Sequence, residues 1–153
     1  MNWKTPPELC QEHMQEHYHN VLHPYSLLMQ HGVIPRMQPR FVCCDFEKGT
    51  AEIAYDGMEW EMNPSGLVHG GITSTALDTA MGMLANYYMQ KMVVTVTFNI
   101  SFLKPIPIDS TFRIRCKLDS LGRTLATITA EVYLEDNELL AGICSATFMG
   151  VNA

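Results

Sequence analysis

Apolar and polar positions change their period along the chain, and the changes mark out its elements. A helical pattern begins at Pro6-Pro7, runs to about Leu22, and is interrupted at His23-Pro24. Pro24, Gly32, Pro35 and Pro39 break up the segment that follows. Residues 41–46 and 50–55 read as two strands joined by a Glu47-Lys48-Gly49 turn, and a polar Gly- and Pro-containing loop covers 56–68. The single long helical pattern spans about 69–89, where Leu77, Met81, Leu84 and Tyr88 form an apolar stripe. Beyond it the period falls to two. Val94, Val96, Phe98, Ile100 and Phe102 alternate with Thr95, Thr97, Asn99 and Ser101. Phe112, Ile114, Cys116 and Leu118 alternate with Arg113, Arg115 and Lys117, and Ala126, Ile128, Ala130, Val132 and Leu134 with Thr127, Thr129, Glu131 and Tyr133. A last strand over 139–149 is apolar on both sides, which predicts an interior strand or one covered by a partner.

Strands grouped on either side of one long helix predict an α+β fold, with an antiparallel sheet of about six strands wrapped around that helix and a helical segment before it. The expected organisation is an N-terminal helical or irregular extension at 1–40 and a main domain at 41–153. A sheet of that size needs its free edges or its second face covered, and with so little helix in the chain a second subunit is the expected cover.

Composition narrows the functional classes. The net charge of −6 argues against nucleic acid as a partner, and no run approaches the roughly 20 apolar residues of a membrane span. The first fifteen residues hold prolines and charges but no continuous apolar stretch, so they do not read as a secretory signal, and a cytoplasmic location is expected. Five cysteines, without a C-x-x-C pair, argue against a disulfide framework or a structural zinc. Charge is unevenly distributed: Lys91, Lys104, Arg113, Arg115, Lys117 and Arg123 form a basic island with only Asp109 and Asp119 among them. The island is either a dock for an anionic ligand or a solvated strand face whose cations pair with nearby acids.

Candidate chemistry concentrates between Asn63 and Asp78. Gly70-Gly71 at a helix start leaves backbone N–H groups free, unobstructed by side chains and reinforced by the positive end of the helix dipole. Such a place holds a carbonyl oxygen that is becoming an oxyanion. Asp78 shares its helix face with Gly71, Ser74, Thr75, Gly82 and Ala85, all small, which leaves room beside the carboxylate for a substrate or another chain. Taken singly, each feature has a plain structural explanation: glycine pairs mark turns, Asn63 before Pro64 initiates one, and Asp78 is open to pairing with a cation. Their joint order and spacing carry more weight than any one of them.

Asn63, His69-Gly70-Gly71 and Asp78, with the Asn six residues before the His and the acid nine after it, resemble the signature of the hotdog-fold thioesterases of the phenylacetate-degradation and 4-hydroxybenzoyl-CoA type. The resemblance covers about 41–149. It implies hydrolysis of an acyl-CoA thioester by a homodimer or homotetramer whose active sites lie at a subunit interface. The Gly70 or Gly71 N–H would hold the thioester oxygen, and Asp78 from the other subunit would activate water or attack directly. Asn63 and His69 would orient the reactants. Thr95 stands where some members carry a hydroxyl that holds the water. No metal and no cofactor is implied beyond the coenzyme A of the substrate. Lys104 and Arg123, at strand ends in the basic island, are candidates for the coenzyme A phosphates.

Two other readings stand beside it: a non-catalytic acyl-CoA-binding sensor, and a hotdog dehydratase or hydratase. His13-Met14-Gln15-Glu16-His17 also fits an H-x-x-E-H zinc-peptidase pattern, but no peptidase architecture accompanies it, and a polar covering helix is expected instead. The methionines of the long helix are assigned to the core ahead of an acyl pocket. Nothing in the sequence selects the acyl group.

Overall fold

The computed structural model describes residues 9–152. Its elements in chain order are α1 (Gln11–Val21), a 3₁₀ turn (Leu27–Met29), α2 (Val33–Met37), β1 (Arg40–Asp45), β2 (Thr50–Asp56), a second 3₁₀ turn (Glu59–Glu61), α3 (Gly70–Met89), β3 (Met92–Phe102), β4 (Thr111–Leu121), β5 (Leu125–Leu134) and β6 (Leu139–Val151). The six strands form one antiparallel sheet in the order β1-β2-β4-β5-β6-β3, with α3 packed across one face. This is the hotdog arrangement that the signature implied. Pro6-Pro7, the expected opening of the first helix, lies outside the described residues.

The core forms where the periods predict it. Leu77, Met81 and Leu84 of α3 are fully buried and Tyr88 nearly so; Met83 and Met89 are buried as well, which makes the helix methionines core residues. Facing them are Ile53 and Tyr55, Phe112, Ile114 and Cys116, Ala126, Ile128, Ala130 and Val132, and Cys144, Ala146 and Phe148. Truncating Leu84 to alanine should destabilise the fold by about 2–5 kcal/mol, read by urea or thermal unfolding, because its cavity would lie between helix and sheet where neither can collapse. The N-terminal segment contributes to the same core: Met14 and Tyr18 of α1 are fully buried, with Tyr18 stacked on Phe41 of β1 at 5.1 Å. Between α1 and the sheet, α2 includes Pro35, read from sequence as a breaker. Proline is tolerated there because it occupies the first turn, where its missing N–H has no partner to lose.

Two strand details differ from the sequence pattern or sharpen it. β6 is interior, between β5 and β3, although Ile143 and Met149 on its outer face remain exposed. β3 is an edge strand, and its expected strict alternation is broken by a bulge at Val96, which lies between the paired positions Thr95↔Phe148 and Thr97↔Thr147. One extra residue reverses the parity of everything before it. Phe98 and Ile100 face the helix as expected, but Val94 and Val96 are turned outward, 44% and 52% exposed, and Thr95, though exposed at the sheet edge, lies on the helix side opposite the buried Phe148.

Candidate active site

The chain entering α3 forms a small closed loop. Asn63 N–H donates to the Leu67 carbonyl (2.8 Å), His69 N–H donates to the Glu61 carbonyl (2.8 Å), and Met62 bridges Val68. Asn63 Oδ1 accepts from the N–H groups of Ser65 (2.9 Å) and Leu67 (3.1 Å), so the side-chain carbonyl holds its own loop and the amide Nδ2 remains for other partners. Gly66 takes φ +80° here, a left-handed conformation that suits glycine. Glu61, 2% exposed, closes the loop from behind. Its carboxylate accepts Met58 N–H (3.1 Å), and burial, joined by the negative charge of Asp56, holds it above the ordinary glutamate range.

His69 is the N-cap of α3, and its Nδ1 accepts Gly71 N–H at 2.9 Å. That bond requires an unprotonated Nδ1 and leaves Nε2 as the exposed ring position. It also separates the two glycines: Gly71 N–H is engaged, whereas Gly70 N–H has no hydrogen-bond partner among the described residues. Ser74 and Thr75 hydroxyls donate back to the Gly70 (2.7 Å) and Gly71 (2.9 Å) carbonyls and so are internally satisfied. The face of small residues beside Asp78 is open as far as Gly82 but closed at Ala85, which is fully buried.

Asp78 is half-buried and accepts a hydrogen bond from Thr95 Oγ1 at 2.6 Å. The β3 bulge makes that bond possible, because strict alternation would send Thr95 to the outer face. No cation pairs with Asp78 among the described residues. Nearby, the Cys144 thiol is pushed up to about 11, by burial first and in part by the charge of Asp78. Asp78 lies eight residues beyond Gly70 in α3, an axial rise of about 12 Å at ~1.5 Å per residue. Within one chain this rise sets the free N–H and the carboxylate well apart along α3.

From Ser65 onward these features fall within a match to a known family, and Glu61 and Asn63 lie just before it. The family described as "Thioesterase superfamily" matches residues 65–141, half of the chain. The chain belongs to the thioesterase superfamily. An acyl-coenzyme A thioesterase of Rattus norvegicus is 29% identical over 84 residues, which are 55% of this chain and 36% of that protein. The chain thus spans little more than a third of that curated relative. Among solved structures, a phenylacetic acid degradation-related protein from Ralstonia eutropha JMP134 superposes with a TM-score of 0.70 at 27% identity, covering 76% of this chain and 88% of the other. A protein from Streptococcus mutans UA159, solved bound to acetyl-CoA, superposes with a TM-score of 0.66 at 22% identity, covering 74% and 90%.

In this member of the thioesterase superfamily the basic island divides. Arg113 and Arg115 are neutralised on the outer sheet face by Glu52 and Glu138, with Arg115 also stacked on Tyr133 at 4.3 Å. Lys104 and Arg123 are not close to one another. Lys104 follows β3, where its backbone N–H donates to the Ala141 carbonyl (3.0 Å), on the Gly70 side of the molecule. Arg123 lies in the β4–β5 turn, at the end of the sheet where β3 begins. A concavity of about 660 Å³ on the outer face, lined by Glu52, Asn99, Arg115, Lys117, Thr129 and Ser145 among others, contains none of the candidate catalytic residues.

The histidine motif is accounted for by packing. His13 Nδ1 lies 3.3 Å from the Tyr87 hydroxyl, and the His17 ring lies 5.2 Å from the Tyr87 ring. Burial, with His13 adding to it, lowers the pKa of His17. No group of three or more His, Cys, Asp or Glu residues is gathered to hold a metal among the described residues, and no helix there is long and apolar enough to cross a membrane. The structure thus brings together Asn63, His69, Gly70 and Gly71 at one end of α3 and Asp78 with Thr95 further along it. Glu61 was not singled out from the sequence, since an acid in a polar loop carries no signal that it will be buried.

Proposed function

We propose that the protein hydrolyses acyl-CoA thioesters at two equivalent sites, each shared between two copies of the chain. The observation that carries this reading is the division of the site along α3, with the unpartnered Gly70 N–H at its start and the Asp78–Thr95 pair two turns on. Thr95 stands near the start of β3, while Gly70 stands beside Phe102 at its end. β3 is an unpaired edge with Met92, Val94, Val96 and Phe102 exposed. Antiparallel pairing of two such edges about a two-fold axis lays the start of one against the end of the other. Asp78 of the partner subunit then approaches Gly70, and Arg123 of the partner subunit approaches Lys104.

At such a site the thioester oxygen accepts from Gly70 N–H, at the positive end of α3, where charge develops as the carbonyl carbon becomes tetrahedral. Asp78 either takes the proton from an attacking water or attacks the carbon itself, with Thr95 holding its orientation. The C–S bond then breaks and the coenzyme A thiolate leaves, taking up a proton that comes from the attacking water by way of Asp78 or from solvent. If Asp78 attacked, water next cleaves the acyl-aspartyl anhydride to release the acid and restore the carboxylate. His69, through Nε2, and Asn63, through Nδ2, face the reactants as hydrogen-bonding groups. Acetyl-CoA in the S. mutans structure supports acyl-CoA as the ligand class, and Lys104 with Arg123 is the proposed phosphate dock.

Release of free thiol from a panel of aliphatic and aromatic acyl-CoAs tests the reading. Turnover is expected for at least one member, unchanged by EDTA because none of the assigned roles uses a metal. Binding of acyl-CoA without turnover across the panel would replace the enzyme reading with a sensor. Activity lost in EDTA and restored by zinc would overturn the metal-free mechanism.

A further inference from the structure

We infer that Phe102 is a positioning residue for the reaction, its ring holding the Gly70 N–H in a dry, fixed setting; this rests on the thioesterase reading above. Gly70 opens α3 without a left-handed φ, so backbone conformation does not require glycine there. Its surroundings favour it. A Cβ built at position 70 would meet Phe102 Cζ at 3.3 Å, Cε1 at 3.5 Å and Cε2 at 3.8 Å. The ring therefore lies directly against the α-carbon whose N–H is unpartnered.

The backbone that carries the ring is held on one side by β6 and, a few residues further on, by the loop before α3. Phe102 ends β3 opposite Gly142, and Leu103 N–H and Lys104 N–H both donate to the Ala141 carbonyl, at 2.8 and 3.0 Å. The chain then turns back along the catalytic loop, where Val68 N–H donates to the Ile106 carbonyl (2.9 Å) and Leu67 bridges Pro107. Phe102 is 57% exposed in the single chain and belongs with Met92, Val94 and Val96 to the β3 edge that the proposed pairing covers. An apolar surface beside a hydrogen-bond donor displaces water from it, and a donor in drier surroundings stabilises developing negative charge more strongly. Gly70 and Phe102 form one unit, in which the absent side chain at 70 makes room for the ring at 102.

A double-mutant cycle tests this on the full chain, with oligomeric state and circular dichroism recorded for every variant. Phe102→Ala is expected to lower kcat by ~10-fold or more while KM moves far less, and Phe102→Leu, which keeps apolar bulk, to recover most of the loss. Gly70→Ala is expected to displace the ring and cost a similar factor. In the Phe102→Ala background that same substitution should cost several-fold less, the non-additivity of residues in contact. Wild-type kcat in Phe102→Ala, a change in KM alone, or strictly additive effects would overturn the inference. If Phe102→Ala fails to fold or assemble, Phe102→Leu and Gly70→Ala decide it: wild-type kcat in Gly70→Ala with its ring displaced overturns it. Absence of thiol release by the wild type would overturn the thioesterase reading instead, a result distinct from either.

Discussion

Replacing Asp78 by alanine is expected to lower kcat by ~10²-fold or more while the protein still folds and still binds acyl-CoA. The expectation of an intact fold follows from the local contacts. Asp78 is half-buried, forms no ion pair among the described residues, and accepts one hydrogen bond, from Thr95. Losing one such bond at a partly solvated site costs about 1 kcal/mol, and alanine favours the helix interior. The loss of activity follows from chemistry, since no other carboxylate stands on the open face of α3 to replace it. Asp78→Asn separates the two roles. It keeps an oxygen for the Thr95 hydroxyl but cannot take a proton or attack as a carboxylate, so it should be as inactive as alanine and at least as stable. Thr95→Val should give a smaller loss, because it releases the carboxylate without removing it. Steady-state thiol release with unfolding curves for the three variants checks this; wild-type turnover in Asp78→Ala would remove Asp78 from the mechanism.

The fold was legible where residues repeat with a clear period, and the site where a spacing reports a local loop. The stripe Leu77, Met81, Leu84 and Tyr88 identified the buried helix because the four residues meet the sheet on one face. The six-residue interval from Asn63 to His69 reflects a loop that closes on itself through Asn63–Leu67 and Glu61–His69 bonds. Features that depend on register were less legible. Nothing in Val94-Thr95-Val96-Thr97 shows that one valine will be extruded, yet that bulge decides whether Thr95 reaches Asp78 or solvent. Pairings across long sequence separations were hidden for the same reason. The cluster from Lys91 to Arg123 reads as one basic patch, but the sheet places Glu52 beside Arg115 and sends Lys104 and Arg123 to opposite ends. The contact of Phe102 with Gly70 lies beyond any periodic signal.

If the site is shared between subunits, two chains that are each inactive should restore activity when mixed, and breaking their contact should abolish it. Gly70→Pro is the informative partner for Asp78→Ala. Position 70 is the first residue of α3, where proline is tolerated; it removes an N–H that already lacks an intrahelical partner and adds a Cβ that shifts the Phe102 ring as alanine would. His69, at φ −61° and ψ 134°, already has the extended conformation a following proline demands. The variant should therefore fold, lose the oxyanion donor, and fall by ~10²-fold in kcat. In a mixed two-fold dimer, one site would carry both substitutions and the other would pair an intact Gly70 with Asp78 of the partner subunit. Random mixing makes half of the dimers mixed, so co-expression should return about a quarter of wild-type activity. A site contained within one chain would return none. The complementary test charges the β3 edge: Val94→Lys with Val96→Lys places lysines on an exposed strand, a natural means of blocking edge pairing. Sedimentation should then show single chains, folded but inactive although Gly70, Asp78 and Thr95 are all unchanged. Full activity in such single chains would mean that the 12 Å of axial rise between Gly70 and Asp78, about eight helical residues at ~1.5 Å each, is bridged in some other way, and the Gly70 oxyanion role would have to be abandoned.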